Sequence, residues 1–336
     1  MKKLAILICT LCAMTVANAN AAATALAANA TENTTTTVSA QKQTECFRVA
    51  DGQELRLDHY VAQGVTGLRP CVVFVFGGGF ATGVRDAQKY LSYFEMLTAS
   101  GYDVVSIDYR LGLSATQSPD YDSKAVGLRE TIATMKRSVD YAVEDLLCAT
   151  RYILDHAGQW QIDTSKIVAS GSSAGAITAL QAENNICNRT AMAQVLPEGF
   201  NYAGVIAFAG AVFSIKGEPK WAAAPCPTML FHGTSDSNVP YRKAAVFGIG
   251  FYGSELLVEQ FRKMGAPYWF YSAEYRSHSM AEEPMVRNHA EILRFLEQYV
   301  VGGLRLQKEE RVVDLQHGKR PTKFSIKQYL SSNYGN

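Results

Sequence analysis

Ser173 is the residue on which a chemical reading of this chain turns. It is the centre of Gly171-Ser172-Ser173-Ala174-Gly175, a G-x-S-x-G pentapeptide between an apolar strand-like run, Lys166–Ser170, and a helix-like one, Ala174–Ala182. A serine raised on a sharp strand-to-helix turn needs small residues two before and two after it, and the glycines supply them. The helix N-terminus behind it favours negative charge developing there. A serine hydroxyl is a weak nucleophile until a histidine takes its proton and a carboxylate fixes that histidine's tautomer. Both follow in the chain, each in a loop after an apolar strand: Asp236 after Pro227–Phe231, and His278 after Trp269–Tyr275. Upstream, Phe76-Gly77-Gly78-Gly79-Phe80 ends the strand Cys71–Phe76. Its three glycines let the main chain turn sharply and present N–H groups to an oxyanion. Nucleophile, base, acid and oxyanion donors together amount to acyl-transfer chemistry.

Competing residues read as structural. Ser172 adjoins the nucleophile, but the symmetry of the motif about its glycines selects Ser173. His232 sits at a strand end, His289 lies in an amphipathic helix, and His59 and His317 have no supporting neighbours. Asp108, Arg110 and Asp145 read as a hydrogen-bonded structural cluster. The glycine loop has neither G-x-x-x-x-G-K-[ST] nor G-x-G-x-x-G spacing, and the cysteines show no zinc-ligand spacing, so neither a cofactor nor a metal is expected.

The elements that must position these residues alternate. Glu54–Val61 alternates apolar and polar residues like a half-exposed antiparallel strand. Cys71–Phe76, Tyr102–Ile107, Lys166–Ser170, Ala203–Phe208, Pro227–Phe231 and Trp269–Tyr275 read as buried strands. Helices are expected over Ala87–Ala99, Lys124–Val139, Val143–His156, Ala174–Ala182, Leu256–Met264 and Val286–Tyr299. Apolar strands alternating with helices predict a mostly parallel central sheet covered on both faces, with ligands at the carboxyl ends of the strands. Two stretches, 112–141 and 184–199, look inserted in this frame. Phe247, Phe251 and Tyr252, set among three glycines in Ala244–Gly253, are expected to line an apolar substrate pocket together with Phe80.

Composition narrows the function classes. The chain has 336 residues, 48% of them hydrophobic and 19% charged. That charged share is below the globular average of about 25%, as suits a large core. Its net charge of +1, from 32 basic and 31 acidic residues, leaves no electrostatic footprint for nucleic acid. No polybasic run flanks an apolar helix, so membrane-surface binding is not expected. Lys2 and Lys3, the apolar run Leu4–Met14 and the small residues Ala17, Ala19 and Ala21 read as a cleavable signal peptide over residues 1–21. A flexible leader over 22–44, a folded domain over 45–301 and a C-terminal extension over 302–336 complete the expected organisation, for a protein secreted or periplasmic and not inserted in the membrane once mature. Cys46, Cys71, Cys148, Cys187 and Cys226 remain after cleavage, and their spacing specifies no pairing.

The chain resembles the α/β-hydrolase superfamily, in its carboxylesterase and feruloyl-esterase-like branch with an HGGG-type oxyanion loop. The resemblance rests on the glycine loop, on Ser106-Ile107-Asp108-Tyr109-Arg110-Leu111, on Glu144-Asp145 with Arg151-Tyr152, on the serine pentapeptide, and on the order Ser173, Asp236, His278. It implies the α/β-hydrolase fold, a triad of Ser173, Asp236 and His278, oxyanion donors at the N–H groups of Gly78, Gly79 and Ala174, and no cofactor. Phe76 stands where that family usually has the histidine of HGGG. The expected activity is hydrolysis of carboxylic esters, with acetyl or feruloyl esters of plant polysaccharide as substrates by resemblance alone. Two rivals stand beside it: a serine exopeptidase of the same fold, and a catalytically silent binding protein.

Overall fold

The apolar runs become the middle of one sheet. In the computed structural model, which describes residues 42–118, 120–121, 126–316 and 318–322, nine strands pair in a single sheet. They are β1 (Lys42–Ala50), β2 (Gln53–Tyr60), β3 (Arg69–Val75), β4 (Asp103–Ile107), β5 (Ile162–Ser172), β6 (Gly204–Phe208), β8 (Thr228–Gly233), β11 (Tyr268–Glu274) and β12 (Gln307–Val313). Their order is β1-β2-β4-β3-β5-β6-β8-β11-β12. Every pairing from β4 to β12 is parallel, while β1 and β2 form an antiparallel hairpin on one edge. The expected signal peptide lies outside the described residues. Among the described residues, no helix is long and apolar enough to cross a membrane.

The helices cover the sheet as its apolar strands require. They are α1 (Gln88–Ala99), α2 (Leu128–Trp160), α3 (Ala174–Cys187), α4 (Ser254–Met264), α5 (Pro284–Arg287) and α6 (His289–Phe295). On β3, Val72, Val73, Phe74 and Val75 are wholly buried. Phe74 meets Tyr93 and Phe94 of α1 edge-on, with ring centroids 5.8 and 5.1 Å away. Truncating such a ring to alanine costs about 3–5 kcal/mol, so this packing sets much of the position of α1 relative to β3.

Four sequence expectations change. The helices expected over Lys124–Val139 and Val143–His156 are one 33-residue helix, α2, since neither proline nor glycine interrupts it before Gly158. Residues 128–141 of the stretch 112–141 are therefore the opening turns of a scaffold helix. β1 begins at Lys42, inside the expected leader, and β12 lies inside the expected extension, so strands of the sheet reach beyond both domain limits. β12 escapes hydrophobic patterning because its sequence, QKEERVV, is that of a charged edge strand held by its parallel ladder to β11. Finally, Ala244–Gly253 is a hairpin of β9 (Lys243–Val246) and β10 (Ile249–Gly253), which pairs with β7 (Ala211–Ser214) in a separate small sheet.

Candidate active site

Three loops at the carboxyl ends of β5, β8 and β11 bring Ser173, Asp236 and His278 together. Ser173 sits at φ 52° and ψ −114°, a left-handed conformation that is strained for a residue with a Cβ. The turn is overdetermined by its surroundings. The Ser173 N–H donates to Phe208 O at 2.8 Å, and Ser173 O accepts from Ile177 N at 2.9 Å. A Cβ on Gly171 would lie 2.3 Å from Gly175, and one on Gly175 would lie 1.9 Å from Val75 O. Both glycines are thus required by close approach, which is the physical content of the G-x-S-x-G spacing.

His278 opens a short 3-10 turn, His278–Ala281, directly after β11. Its Nε2 lies 2.8 Å from Ser173 Oγ and its Nδ1 2.8 Å from Asp236 Oδ2. Nδ1 faces a carboxylate and therefore carries the proton, leaving Nε2 to accept from the serine hydroxyl. Asp236 Oδ1 accepts the backbone N–H groups of Asn238 and Val239 at 2.8 and 2.9 Å, so the carboxylate cannot swing away. Burial alone would raise the Asp236 carboxyl, but the rings of His278 and His232 outweigh it and hold the group well below the usual carboxylate range. Burial likewise pushes His278 down, and the charge and hydrogen bond of Asp236 overcome it, leaving the imidazole above its ordinary value.

His232 does more than the sequence suggests. Wholly buried, it places Nε2 3.1 Å from Val239 O and 3.4 Å from Asp236 Oδ2, and Nδ1 2.7 Å from Ser254 Oγ. Nε2 faces two acceptors and so holds the proton, while Nδ1 accepts from the Ser254 hydroxyl. A histidine at a strand end is common, and only the fold shows that this one supports the acid.

The glycine loop lies against the elbow. A Cβ on Gly77 would come within 3.0–3.2 Å of Ser172 and Ser173. Gly78 adopts φ 140°, where a Cβ would lie 1.9 Å from Thr82 O, and Gly79 adopts φ 62°. Gly78 O accepts from Ala81 N and Thr82 N, each at 3.0 Å. Among the described residues, no acceptor takes the N–H of Gly78 or Gly79. Ala174 is the first residue of α3, so its N–H has no partner within the helix. Phe76 is buried and packs on Tyr109 with ring centroids 4.5 Å apart, and the Tyr109 hydroxyl donates to Phe76 O at 3.1 Å. Tyr109 thus tethers the main chain of this loop directly.

The four expected substrate contacts are placed differently. Phe80 is 2% exposed and meets Tyr109 edge-on. Phe251 is buried against Phe213, with centroids 5.0 Å apart, and Tyr252 is buried with its hydroxyl donating to Gly248 O at 3.2 Å. Phe247 is 91% exposed at the tip of the β9–β10 hairpin. Three of the rings are spent on packing and the fourth faces solvent, so the segment builds a hairpin rather than a pocket wall. Asp145 accepts from Arg110, as expected, and from Arg48, whereas Asp108 stands outside this cluster and accepts from Arg85 and the Arg56 N–H. All five described cysteines are free thiols. Among the described residues, no group of three or more histidine, cysteine, aspartate or glutamate side chains could hold a metal ion.

A cleft of about 780 Å³ includes Asp236 and Thr234 in its wall, together with residues of α4, β11 and β12, but neither Ser173 nor His278. Most of its charges are paired within it, Arg262 with Glu309, Arg242 with Glu255 and Glu259, and Arg311 with Glu274, while Lys243 and Glu310 pair with Glu218 and Lys308 outside its wall. It lies off the reacting atoms.

The BD-FAE family model matches residues 57–122 and 132–212, which span β2 to β7 and include the glycine loop and the serine elbow. Solved structures similar to this one include esterase 2 of Thermogutta terrifontis phosphoramylated by tabun, at 22% identity and a TM-score of 0.56, covering 80% of this chain and 97% of that one. The propionate-bound form of that esterase gives 22% identity and 0.56, with coverages of 81% and 97%. Its butyrate-bound form gives 21% and 0.55, with coverages of 80% and 96%. No curated protein matches the chain significantly. The likeness to these structures defines the fold, that of an α/β-hydrolase, and the family match covers the part of it that carries the glycine loop and the elbow.

Proposed function

We propose that the protein is an exported serine carboxylesterase acting through Ser173, His278 and Asp236. The observation that carries this reading is His278, whose two ring nitrogens each lie 2.8 Å from a partner, one from the serine hydroxyl and the other from the buried carboxylate. With an ester bound, Ser173 Oγ gives its proton to His278 Nε2 as it attacks the ester carbonyl carbon. The carbonyl oxygen becomes an oxyanion that the N–H groups of Gly78, Gly79 and Ala174 receive. Such donors contribute about 2.7–4 kcal/mol each where they have been removed singly. The imidazolium formed beside Asp236 then protonates the leaving alcohol, and the C–O bond breaks to leave an acyl-serine. Water, deprotonated by His278, attacks the acyl carbon; the acid departs and the serine recovers its proton.

The relatives support the substrate class by analogy. The Thermogutta terrifontis esterase is described with propionate, with butyrate and with organophosphorus adducts, which fits small acyl groups on a reactive serine. Acetyl or feruloyl esters on polysaccharide remain the finer part of the proposal, as does cleavage of the leader after Ala19 or Ala21. A panel of esters from acetyl to long acyl, with hydroxycinnamate esters and an amino-acyl arylamide, tests the reading. Turnover of the short esters and none of the arylamide is expected. Arylamide turnover alone would make the protein a peptidase, and clean folding with no turnover at all would make it a binding protein. Intact mass of the exported protein checks the leader, with Asn20 or Ala22 as the expected first residue.

A further inference from the structure

Between the glycine loop, the elbow and the histidine turn lies a buried series of contacts that the triad chemistry does not use. Tyr90, on the first turn of α1, is 1% exposed. Its hydroxyl oxygen accepts the Gly77 N–H at 3.0 Å, and Gly77 itself lies against Ser172, where a Cβ would come 3.1 Å from Ser172 Oγ. The Ser172 hydroxyl in turn donates to Ala281 O at 2.8 Å. Ser172 spends its single proton on that carbonyl. Two bonds thus flank the Gly77–Ser172 contact: Gly77 N–H to Tyr90 O on one side and Ser172 O–H to Ala281 O on the other. Gly77 precedes the two oxyanion glycines, Ser172 precedes Ser173, and Ala281 closes the turn that His278 opens. Outside this series, Lys89 Nζ lies 5.0 Å from the centroid of the Tyr90 ring and donates to Glu282 Oε1 at 2.5 Å.

We infer that Tyr90 and Ser172 are positioning residues, which hold the oxyanion loop, the nucleophile and the general base in one mutual register. This rests on the reading of Ser173 as nucleophile. The Gly77 N–H is consumed by Tyr90, so the loop presents the next two N–H groups and not the first. Each of the three loops departs from a different element, and these contacts run through the side chains of a fourth element and of the elbow itself. Loss of one member leaves a buried donor or acceptor without a partner, and the loops can settle at a different spacing. Misplacement of the order of 1 Å at a reacting centre costs about 100-fold in rate.

The test uses the full chain and three variants, Tyr90→Phe, Ser172→Ala and the two combined, assayed well below their unfolding midpoints. Tyr90→Phe is expected to lower kcat about 10- to 100-fold with KM within about twofold, since the lost register matters in the transition state and not in substrate binding. Ser172→Ala should do much the same, and the double variant should be little worse than either single one, because both break one series of contacts. The rate of Ser173 labelling by a fluorophosphonate should fall in parallel, as phosphonylation uses the same donors. A folded Tyr90→Phe with unchanged kcat, or two single losses that multiply, would overturn the inference; if Tyr90→Phe fails to fold, Ser172→Ala alone decides by the same criterion. A wild type that neither hydrolyses esters nor labels would remove the esterase reading and this inference with it. An active wild type beside unaffected variants would remove the inference only.

Discussion

Two aspartate–histidine pairs in close contact lie at opposite ends of the sheet. At the carboxyl end, Asp236 and His278 meet at 2.8 Å; at the amino end, Asp103 and His59 also meet at 2.8 Å. Residue types and contact distance are the same, yet the surroundings differ in three respects. His278 has a serine hydroxyl on its second nitrogen, whereas His59 Nδ1 is buried with no partner. The His278 side chain is 16% exposed, whereas that of His59 is 2% exposed and lies under Trp160. Asp103 is shared with Arg69, which lies 2.7 Å away, and with the Ala62 N–H, so its charge is already neutralised. Among the described residues, Asp236 pairs with no arginine or lysine and directs its charge at the two histidines. An acid–base pair becomes a site only with a nucleophile, an opening and the loops at the carboxyl ends of parallel strands.

Substitutions at the two ends should separate them. Ser173→Ala should abolish turnover, on the order of 10⁵- to 10⁶-fold, with the fold intact since the elbow accepts a small side chain; His278→Ala should cost a similar amount because nucleophile and base act as a unit. Steady-state rates with circular dichroism check both. Asp236→Asn comes next, at about 10⁴-fold, if the carboxylate sets the tautomer of His278.

The pH dependence sharpens the comparison. Protonated His278 cannot accept the serine proton, so activity should be lost as pH falls through its pKa. Asp236 holds that pKa above the ordinary histidine value, near 6.5, and is itself ionised throughout the range. The rising limb of kcat/KM should therefore lie above that value in the wild type and move down in Asp236→Asn, where the residual rate is followed at high enzyme concentration. At the other end, Asp103→Asn leaves Arg69 buried without its counter-charge and should cost about 3–5 kcal/mol of stability by denaturant titration. The kcat of its folded fraction should stay near the wild-type value. A tenfold or larger fall in kcat there would show that the two ends are coupled and break the comparison. Phe76→His should have the smallest effect on rate, since the position contributes packing on Tyr109 and its main chain is held through O by the Tyr109 hydroxyl.

The carboxyl end was also the more legible in sequence. Ser173, Asp236 and His278 each follow an apolar run, so the sequence alone places their loops. Tyr90 could not be read in that way. It shares a stripe with Tyr93, Phe94 and Leu97 at helical spacing, which reads as ordinary core, and its hydroxyl acquires a role only when α1 packs over the elbow. His232 gives no signal beyond its place at a strand end. β12 is hidden because backbone pairing, not apolar burial, holds a charged edge strand. The aromatic segment Ala244–Gly253 misleads for a related reason: aromatic residues among glycines serve a tight hairpin as well as they would serve a pocket. The continuity of α2 was written in the absence of a breaker between Leu128 and Ala157, and the change from polar to apolar composition along it obscured that.

Covalent labelling tests the central claim most directly. A fluorophosphonate should add once to the wild-type protein, the modified peptide should carry the adduct on Ser173, and Ser173→Ala should take up none. Adduct on Ser172, or undiminished labelling of Ser173→Ala, would contradict the assignment of the nucleophile.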